Sequence, residues 1–440
     1  MHDRLGWTGA ARDSLQHWKQ WSRFAADARA DGLDRALVCG MGGSSLAPRV
    51  LAQSFHADTL SVLDSTDPAA VLDAERSHPL ARTLFLIVSK SGSTVETLAA
   101  YHYFAARVPR NQFVAVTDPG SALERLAATE GFRATFEHPA DVGGRYAALT
   151  VVGMLPAALA GIDGETLLER AGQTDVADAR RLGQAIETQA SVGRDKLALQ
   201  PPATVAGLAS WIEQLVAESS GKDNKGVIPL VDAREADGAD VQSVREFSAD
   251  PLDLGREFLR WEYATWELCE RLGVNAFDQP NVEEAKVLAR AELARSAESS
   301  ASPPLPPTLS TAELRSLARA GDYLAILAYL PPRPGIESAL QRVRTAWGRA
   351  LNVVTTVGFG PRYLHSTGQL HKGGPNTGLF LVLTMDPTHD LEIPEMGTTF
   401  GRLERAQAVG DIRALLARGR RVSHVHLSDV RELEKLAIHP

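Results

Sequence analysis

Two hydrophobic periods alternate along the chain. Between residues 36 and about 165, short apolar runs (Ala36-Leu37-Val38-Cys39, Leu60-Ser61-Val62-Leu63, Leu84-Phe85-Leu86-Ile87-Val88 and Phe113-Val114-Ala115-Val116) are separated by stretches of helical spacing. Runs with little or no polar face belong to strands covered on both sides, so this alternation predicts a parallel sheet flanked by helices. Ligands of such sheets sit beyond the carboxyl ends of the strands, which makes the following loops the first place to look for chemistry.

Residues 166–196 read as mixed helix. A second region begins near residue 201 with a helix over 206–220, whose Leu208, Ile212, Leu215 and Val216 fall on one face, and a tryptophan-rich helix over 258–272. The run Ser296-Ala297-Glu298-Ser299-Ser300-Ala301-Ser302-Pro303-Pro304-Leu305-Pro306-Pro307 cannot build a core. It predicts a linker or long loop over 296–311. After it, apolar runs at 323–328, 353–357 and 379–383 and a helix over 399–418 restore the α/β pattern. The expected division is 1–165, 166–295, the 296–311 linker, and 312–440 completing the second domain, giving an α/β protein of two doubly wound parallel-sheet domains.

Composition narrows the function classes. The 440 residues are 44% hydrophobic and carry 46 basic against 54 acidic side chains, a net charge of −8. No stretch concentrates cations as a nucleic-acid or lipid surface requires, and Arg418-Gly419-Arg420-Arg421 reads as cations complementing a helix C-terminus. No nucleic-acid or membrane partner is therefore expected. Cys39 and Cys269 are too few for a disulfide framework or a cysteine metal site and read as core thiols. The first residues lack a signal-peptide layout, and the apolar run 151–162 is interrupted by Pro156 and too short to span a bilayer, so a cytoplasmic protein is expected.

Six segments hold candidate chemistry. Gly40-Met41-Gly42-Gly43-Ser44-Ser45 follows a strand and opens a helix, where glycines let the backbone approach an anion. It meets neither the dinucleotide nor the P-loop pattern, although Asp64 after the second strand keeps a nucleotide reading open. Ser89-Lys90-Ser91-Gly92-Ser93-Thr94 packs four hydroxyls into six residues before another helix, a compact cradle for a phosphate monoester. In Val142-Gly143-Gly144-Arg145-Tyr146, a guanidinium beside two glycines could hold an oxyanion. Glu218 lies in the last turn of its helix, before Gly221, where the helix dipole opposes a carboxylate and suits it to proton transfer; taken by itself, the residue reads better as a solvated surface glutamate. Asn275 to Lys286 reads as a turn and a Pro-initiated helix, with Lys286 a helix cation. Finally, His365 and His371 sit among glycines in one loop and could transfer protons. Their spacing of six, with no third ligand, speaks against zinc, so no metal is assigned.

Taken together, these segments resemble the phosphoglucose isomerase family, built of two sugar-isomerase (SIS) α/β domains. Gly40-Met41-Gly42-Gly43-Ser44 is similar to its first glycine loop, residues 89–94 to its phosphate loop, Gly143-Gly144-Arg145 to its Gly-Gly-Arg segment, Ala217-Glu218-Ser219-Ser220-Gly221-Lys222 to the stretch with its base, and Phe277-Asp278-Gln279-Pro280-Asn281-Val282-Glu283-Glu284-Ala285-Lys286 to its lysine signature, with Asn281 where the family usually has Gly. The likeness covers roughly residues 36–290. Most members carry the active-site histidine between base and lysine, whereas here His371 stands as the displaced counterpart with His365 second. That layout resembles the isomerase half of bifunctional transaldolase/phosphoglucose isomerases; with no transaldolase portion before Met1, isomerase activity alone is expected.

The resemblance implies a cofactor-free glucose 6-phosphate/fructose 6-phosphate isomerase of glycolysis and gluconeogenesis working through an enediolate. It implies Glu218 as base, Arg145 stabilising the enediolate, and His371 with Lys286 assisting ring opening. Gly43, Ser44, Ser89, Lys90, Ser91, Ser93 and Thr94 would hold the sugar phosphate. Because the family's histidine comes from a partner subunit, a homodimer is implied. Two rivals remain: a non-catalytic SIS sugar-phosphate sensor, and a nucleotide-dependent oxidoreductase that would bind a dinucleotide at residues 40–44.

Overall fold

The computed structural model describes residues 4–231, 238–281, 287, 288, 291, 305–438 and 440. Lys286 and residues 296–304 of the expected linker lie outside the described residues.

The first sheet is parallel throughout, in the order β2 (Leu60–Leu63), β1 (Arg35–Gly40), β3 (Thr83–Val88), β4 (Phe113–Thr117), β5 (Ala134–Glu137). All six residues of β3 and all five of β4 are buried, as continuous apolar runs require. Both faces are covered. On one, Leu37, Phe85, Ile87 and Phe113 meet the helix Val95–Ala105; on the other, Val38, Leu86, Val88 and Val114 meet the helices Ala10–Ala30 and Val151–Leu159. The order reverses between β1 and β3, so the loops after these strands, 41–45 and 89–94, flank a topological switch point.

Two further parallel sheets follow. One holds β6 (Lys196–Leu199) between β7 (Ile228–Leu230) and β8 (Val241–Val244). The other runs β10 (Val354–Phe359), β9 (Tyr323–Tyr329), β11 (Gly378–Met385), β14 (Arg421–Leu427), and a small antiparallel pair, β12 (Glu392–Ile393) and β13 (Thr398–Thr399), precedes the helix Phe400–Ala417. Among the described residues the three- and four-stranded sheets are not hydrogen-bonded to each other, yet Ala198, Ile228, Leu230 and Val241 share one core with Tyr323, Leu327, Phe380 and Ile412. The helices Gly164–Ala171, Val176–Ser191 and Leu254–Leu272 bury Leu167, Ile186, Phe258 and Trp261 in the same core as the first sheet, so the chain near residue 165 passes through continuous packing.

Arg418 caps the helix Phe400–Ala417, but Arg420 is buried and donates to the carbonyls of Lys372 (2.6 Å) and Gly374 (2.7 Å). The cluster that reads in sequence as a helix-end charge patch is thus partly a clamp on the 372–374 backbone. Both cysteines are free and buried. Among the described residues, no helix is long and apolar enough to cross a membrane.

Candidate active site

A cavity of about 780 Å³ opens at the carboxyl end of the first sheet, where the glycine loop, the Ser/Thr loop, the Gly-Gly-Arg segment, the helix Leu208–Ser220, the 275–280 turn and the turn Arg362–His365 converge.

The glycine loop folds against the Gly-Gly-Arg segment so closely that only glycine fits. A Cβ on Gly43 would overlap the Gly144 carbonyl, and one on Gly42, which has φ +57°, would lie 2.6 Å from the His365 carbonyl oxygen. Three sequence-distant loops meet there. Ser44 follows and lines the cavity.

Within the Ser/Thr loop, the Ser89 hydroxyl is buried, lies 2.8 Å from Thr94 Oγ1 and accepts from the Gly92 N–H at 3.1 Å. This fixes the turn and presents Lys90, Ser91 and Thr94 to the cavity, just before the helix Val95–Ala105 whose first amides point the same way. Ser89 itself stands behind the lining, and Ser93 bonds to Ser91 at 3.0 Å outside it. Lys90 pairs with Asp118 at 2.8 Å. Burial alone would raise the Asp118 carboxyl, but its bonds to His138 and Lys90 outweigh burial and hold it below the usual range.

Glu218 and Arg145 form the opposite wall. Both are buried, with Arg145 Nη1 3.5 Å from Glu218 Oε1. Arg145 is immobilised by donating to Ser219 Oγ (2.8 Å) and to the Ala276 carbonyl, while Gln214 Nε2 donates to Glu218 Oε2 (2.9 Å) and to the His365 carbonyl (2.7 Å). Gln214 and Glu218 are one helical turn apart, so the amide sets the carboxylate and the His365 turn together. Beside them, burial first and Arg145 second depress the Lys222 ammonium, which pairs with Asp278 at 2.9 Å.

The two histidines part company. His365 lines the cavity, its Nε2 2.9 Å from Glu96 Oε1, and Glu96 also accepts from Gln407 Nε2 at 2.7 Å. His371 does not reach the cavity. It lies in the short helix Gly368–Gly373, 4% exposed, with its ring among Tyr323, Tyr363 and Phe380, and burial, then Lys372 and Arg420, hold it well below its usual pKa. Of the sequence candidates, then, Gly43, Ser44, Lys90, Ser91, Thr94, Arg145 and Glu218 meet at one cavity, joined by His365 in place of His371. Sequence reasoning missed Gln214, Gln279, Glu96 and Arg4. Gln214 was accessible from its i, i+4 spacing to Glu218, whereas Arg4 carried no local signal.

Asp64, the residue that kept a nucleotide reading open, is held by Arg49 at 2.6 Å and is absent from the cavity wall. Among the described residues, no group of three or more His, Cys, Asp or Glu is placed to hold a metal.

No family model matches the chain. Individual proteins do. A glucose-6-phosphate isomerase of Thermus thermophilus is 32% identical over 240 residues, 49% of this chain and 57% of that protein, and the corresponding protein of Rubrobacter xylanophilus is 31% identical over 245 residues, 49% and 56%. Over about half its length the chain is similar to proteins named glucose-6-phosphate isomerase. It spans about half the length of the curated relatives it matches. A crystal structure of a glucose-6-phosphate isomerase from Chlamydia trachomatis superposes with a TM-score of 0.56 at 18% identity, covering 66% of this chain and 75% of that one, so the fold is shared as well. The expected α/β class with parallel sheets is what the structure shows.

Proposed function

We propose that the protein interconverts glucose 6-phosphate and fructose 6-phosphate. The observation that carries this reading is the pairing, across one cavity, of a hydroxyl-rich helix entrance with a buried Glu218–Arg145 couple and His365. The loop residues Ser44, Ser91 and Thr94, with Lys90, hold the phosphate at the start of the helix Val95–Ala105, where backbone amides and dipole favour an anion. Anchored there, the sugar presents C1 and C2 to the opposite wall, so binding energy spent on the phosphate fixes the reacting carbons.

Ring opening needs a proton delivered to the ring oxygen. His365, aligned by Glu96, is the group in position, and Lys286, outside the described residues, is proposed to assist on the family resemblance alone. Glu218 then takes the proton from C2 of the open aldose and returns it to C1, or the reverse. The negative charge that develops on O1 and O2 falls beside the Arg145 guanidinium, whose orientation is already set by Ser219 and Ala276. Ring opening breaks the C1–O5 bond as O5 gains a proton and the anomeric hydroxyl loses one, and the isomerisation itself is proton transfer between C2 and C1, with no group leaving the substrate. On the same resemblance we place the protein in the cytoplasm and as a homodimer, although the histidine at this cavity comes from the same chain.

The reading is tested by running the reaction in heavy water. An enediolate mechanism incorporates solvent deuterium at C2 of glucose 6-phosphate formed from fructose 6-phosphate. Turnover with no deuterium incorporated at all, including after repeated interconversion, would point to hydride transfer and overturn the Glu218 assignment.

A further inference from the structure

The cations around the cavity are mostly committed to acids. Lys90 pairs with Asp118, Arg145 with Glu218, and His365 bonds to Glu96. A sugar phosphate arrives with close to two negative charges, and these pairs leave little net positive charge to meet it. Arg4 is different. Its side chain lines the cavity, and the contact it makes is one bond from Nη1 to the carbonyl of Phe277 at 3.2 Å, with no acidic partner among the described residues.

Arg4 is held there by a built anchor. Trp7, fully buried, packs against Tyr146, Tyr263 and Trp266 with ring centroids 5.2, 4.7 and 6.1 Å away, which ties the first turn of the chain to the residue next to Arg145. Gly6 N–H donates to the Asp141 carbonyl (3.3 Å), while Lys90 Nζ donates to the neighbouring Ala140 carbonyl (3.2 Å). The chain start and the Ser/Thr loop therefore brace the same two residues, and the Arg4 guanidinium, bonded to Phe277, stands at the mouth between that loop and the 275–280 turn. The Asp141 carboxylate stands against Gly6, on the backbone side of this strap.

We propose that Arg4 is a substrate-binding residue that closes the phosphate end of the cavity from the N-terminal segment and supplies the counter-charge that Lys90 shares with Asp118. This rests on the sugar-phosphate reading of the cavity. A guanidinium suits this role because it is always charged, weakly hydrated and able to bond two phosphate oxygens at once. Because it acts on the phosphate and not on C1 or C2, it contributes to binding in the ground and transition states alike, so its loss raises KM and leaves kcat in place.

The test compares the full-length protein with Arg4→Gln and Arg4→Lys, using fructose 6-phosphate turnover and inorganic phosphate as a competing anion. Losing one charge-assisted bond to phosphate should raise KM about tenfold, raise the inhibition constant of inorganic phosphate in parallel and change kcat by less than about twofold, with Arg4→Lys falling between. A melting temperature equal to the parent's would separate this from unfolding. Unchanged KM and phosphate inhibition in Arg4→Gln, or a fall in kcat at constant KM, would overturn the proposal. If the parent shows no isomerase turnover, stabilisation by inorganic phosphate still reads Arg4 on its own: a smaller rise in melting temperature for Arg4→Gln supports its role, and an equal rise refutes it.

Discussion

Replacing His371 with leucine should leave turnover nearly intact and change how stability depends on pH. The ring sits among Tyr323, Tyr363 and Phe380, its Nδ1 finds no hydrogen-bond partner among the described residues, and Lys372 and Arg420 lie close enough to repel a further positive charge. Folding therefore requires the neutral imidazole. With the unfolded histidine titrating near about 6.5 and the folded one well below it, the unfolded state binds the extra proton first, so stability falls as pH falls through the unfolded pKa. Integrated from about pH 7 to about pH 5.5, one such group withdraws about 1.3 kcal/mol. Leucine of similar volume removes that loss. His424, lowered to about 4 by burial, adds a slope of the same sign in parent and variant alike and cancels in the difference. Guanidinium unfolding of both proteins at the two pH values, with kcat for fructose 6-phosphate at neutral pH, reads both claims. Equal pH slopes, or a folded His371→Leu protein with kcat reduced a hundredfold or more, would refute the reasoning and return His371 to the chemistry.

Two further expectations concern the cavity. His365→Ala should lower kcat by about 10²-fold on the cyclic substrate, the lower end of what a positioned proton donor contributes, with a smaller loss on an analogue that cannot cyclise; equal losses on both would remove ring opening from its role. Gly43→Ala should destabilise the protein by about 1–3 kcal/mol and weaken sugar-phosphate binding, because the added methyl meets the backbone of Gly144 and not a side chain that can turn away; a variant as stable and active as the parent, seen by chemical denaturation and kinetics, would show that the loops do not need that close approach.

How much of this was legible in the sequence depended on where each feature is encoded. β1, β3 and β4 announce themselves because strands covered on both faces must be apolar without interruption, and the loops after them carry Gly43, Ser44 and Thr94 in the order that strand–turn–helix units impose. β5 escaped because it is a four-residue edge strand whose residues alternate between half-buried and exposed. β6 escaped because it begins on a buried lysine, Lys196, which looks wrong for a core until Asp195 and Asp240 are found 2.7 and 3.0 Å from its ammonium. The helix Ala10–Ala30 was readable and went unread: Trp18, Trp21, Ala25 and Ala28 repeat at helical spacing.

For the site, the residues with strong local grammar led to the cavity, while the histidine did not. His365 and His371 share the same glycine-rich stretch, and what separates them is that the turn Arg362–His365 faces Glu96 across the domain boundary whereas the following helix turns His371 into the core. Glu96 and His365 are separated by 269 residues in sequence. Arg4 is the extreme case, since its place depends on Trp7 finding an aromatic slot formed by residues 146, 263 and 266.

The central claim is that the buried Glu218, set against Arg145, moves a proton between two carbons of a phosphorylated sugar. It is tested most directly by assaying conversion of fructose 6-phosphate to glucose 6-phosphate by the purified protein and by Glu218→Gln, which keeps the bond to Gln214 available but cannot accept a proton. The account predicts turnover in the parent and a loss of at least about 10³-fold in the variant, with competitive inhibition by a non-isomerisable sugar phosphate retained. A parent that binds the sugar phosphate without turning it over, or a variant that turns over as fast as the parent, would contradict it.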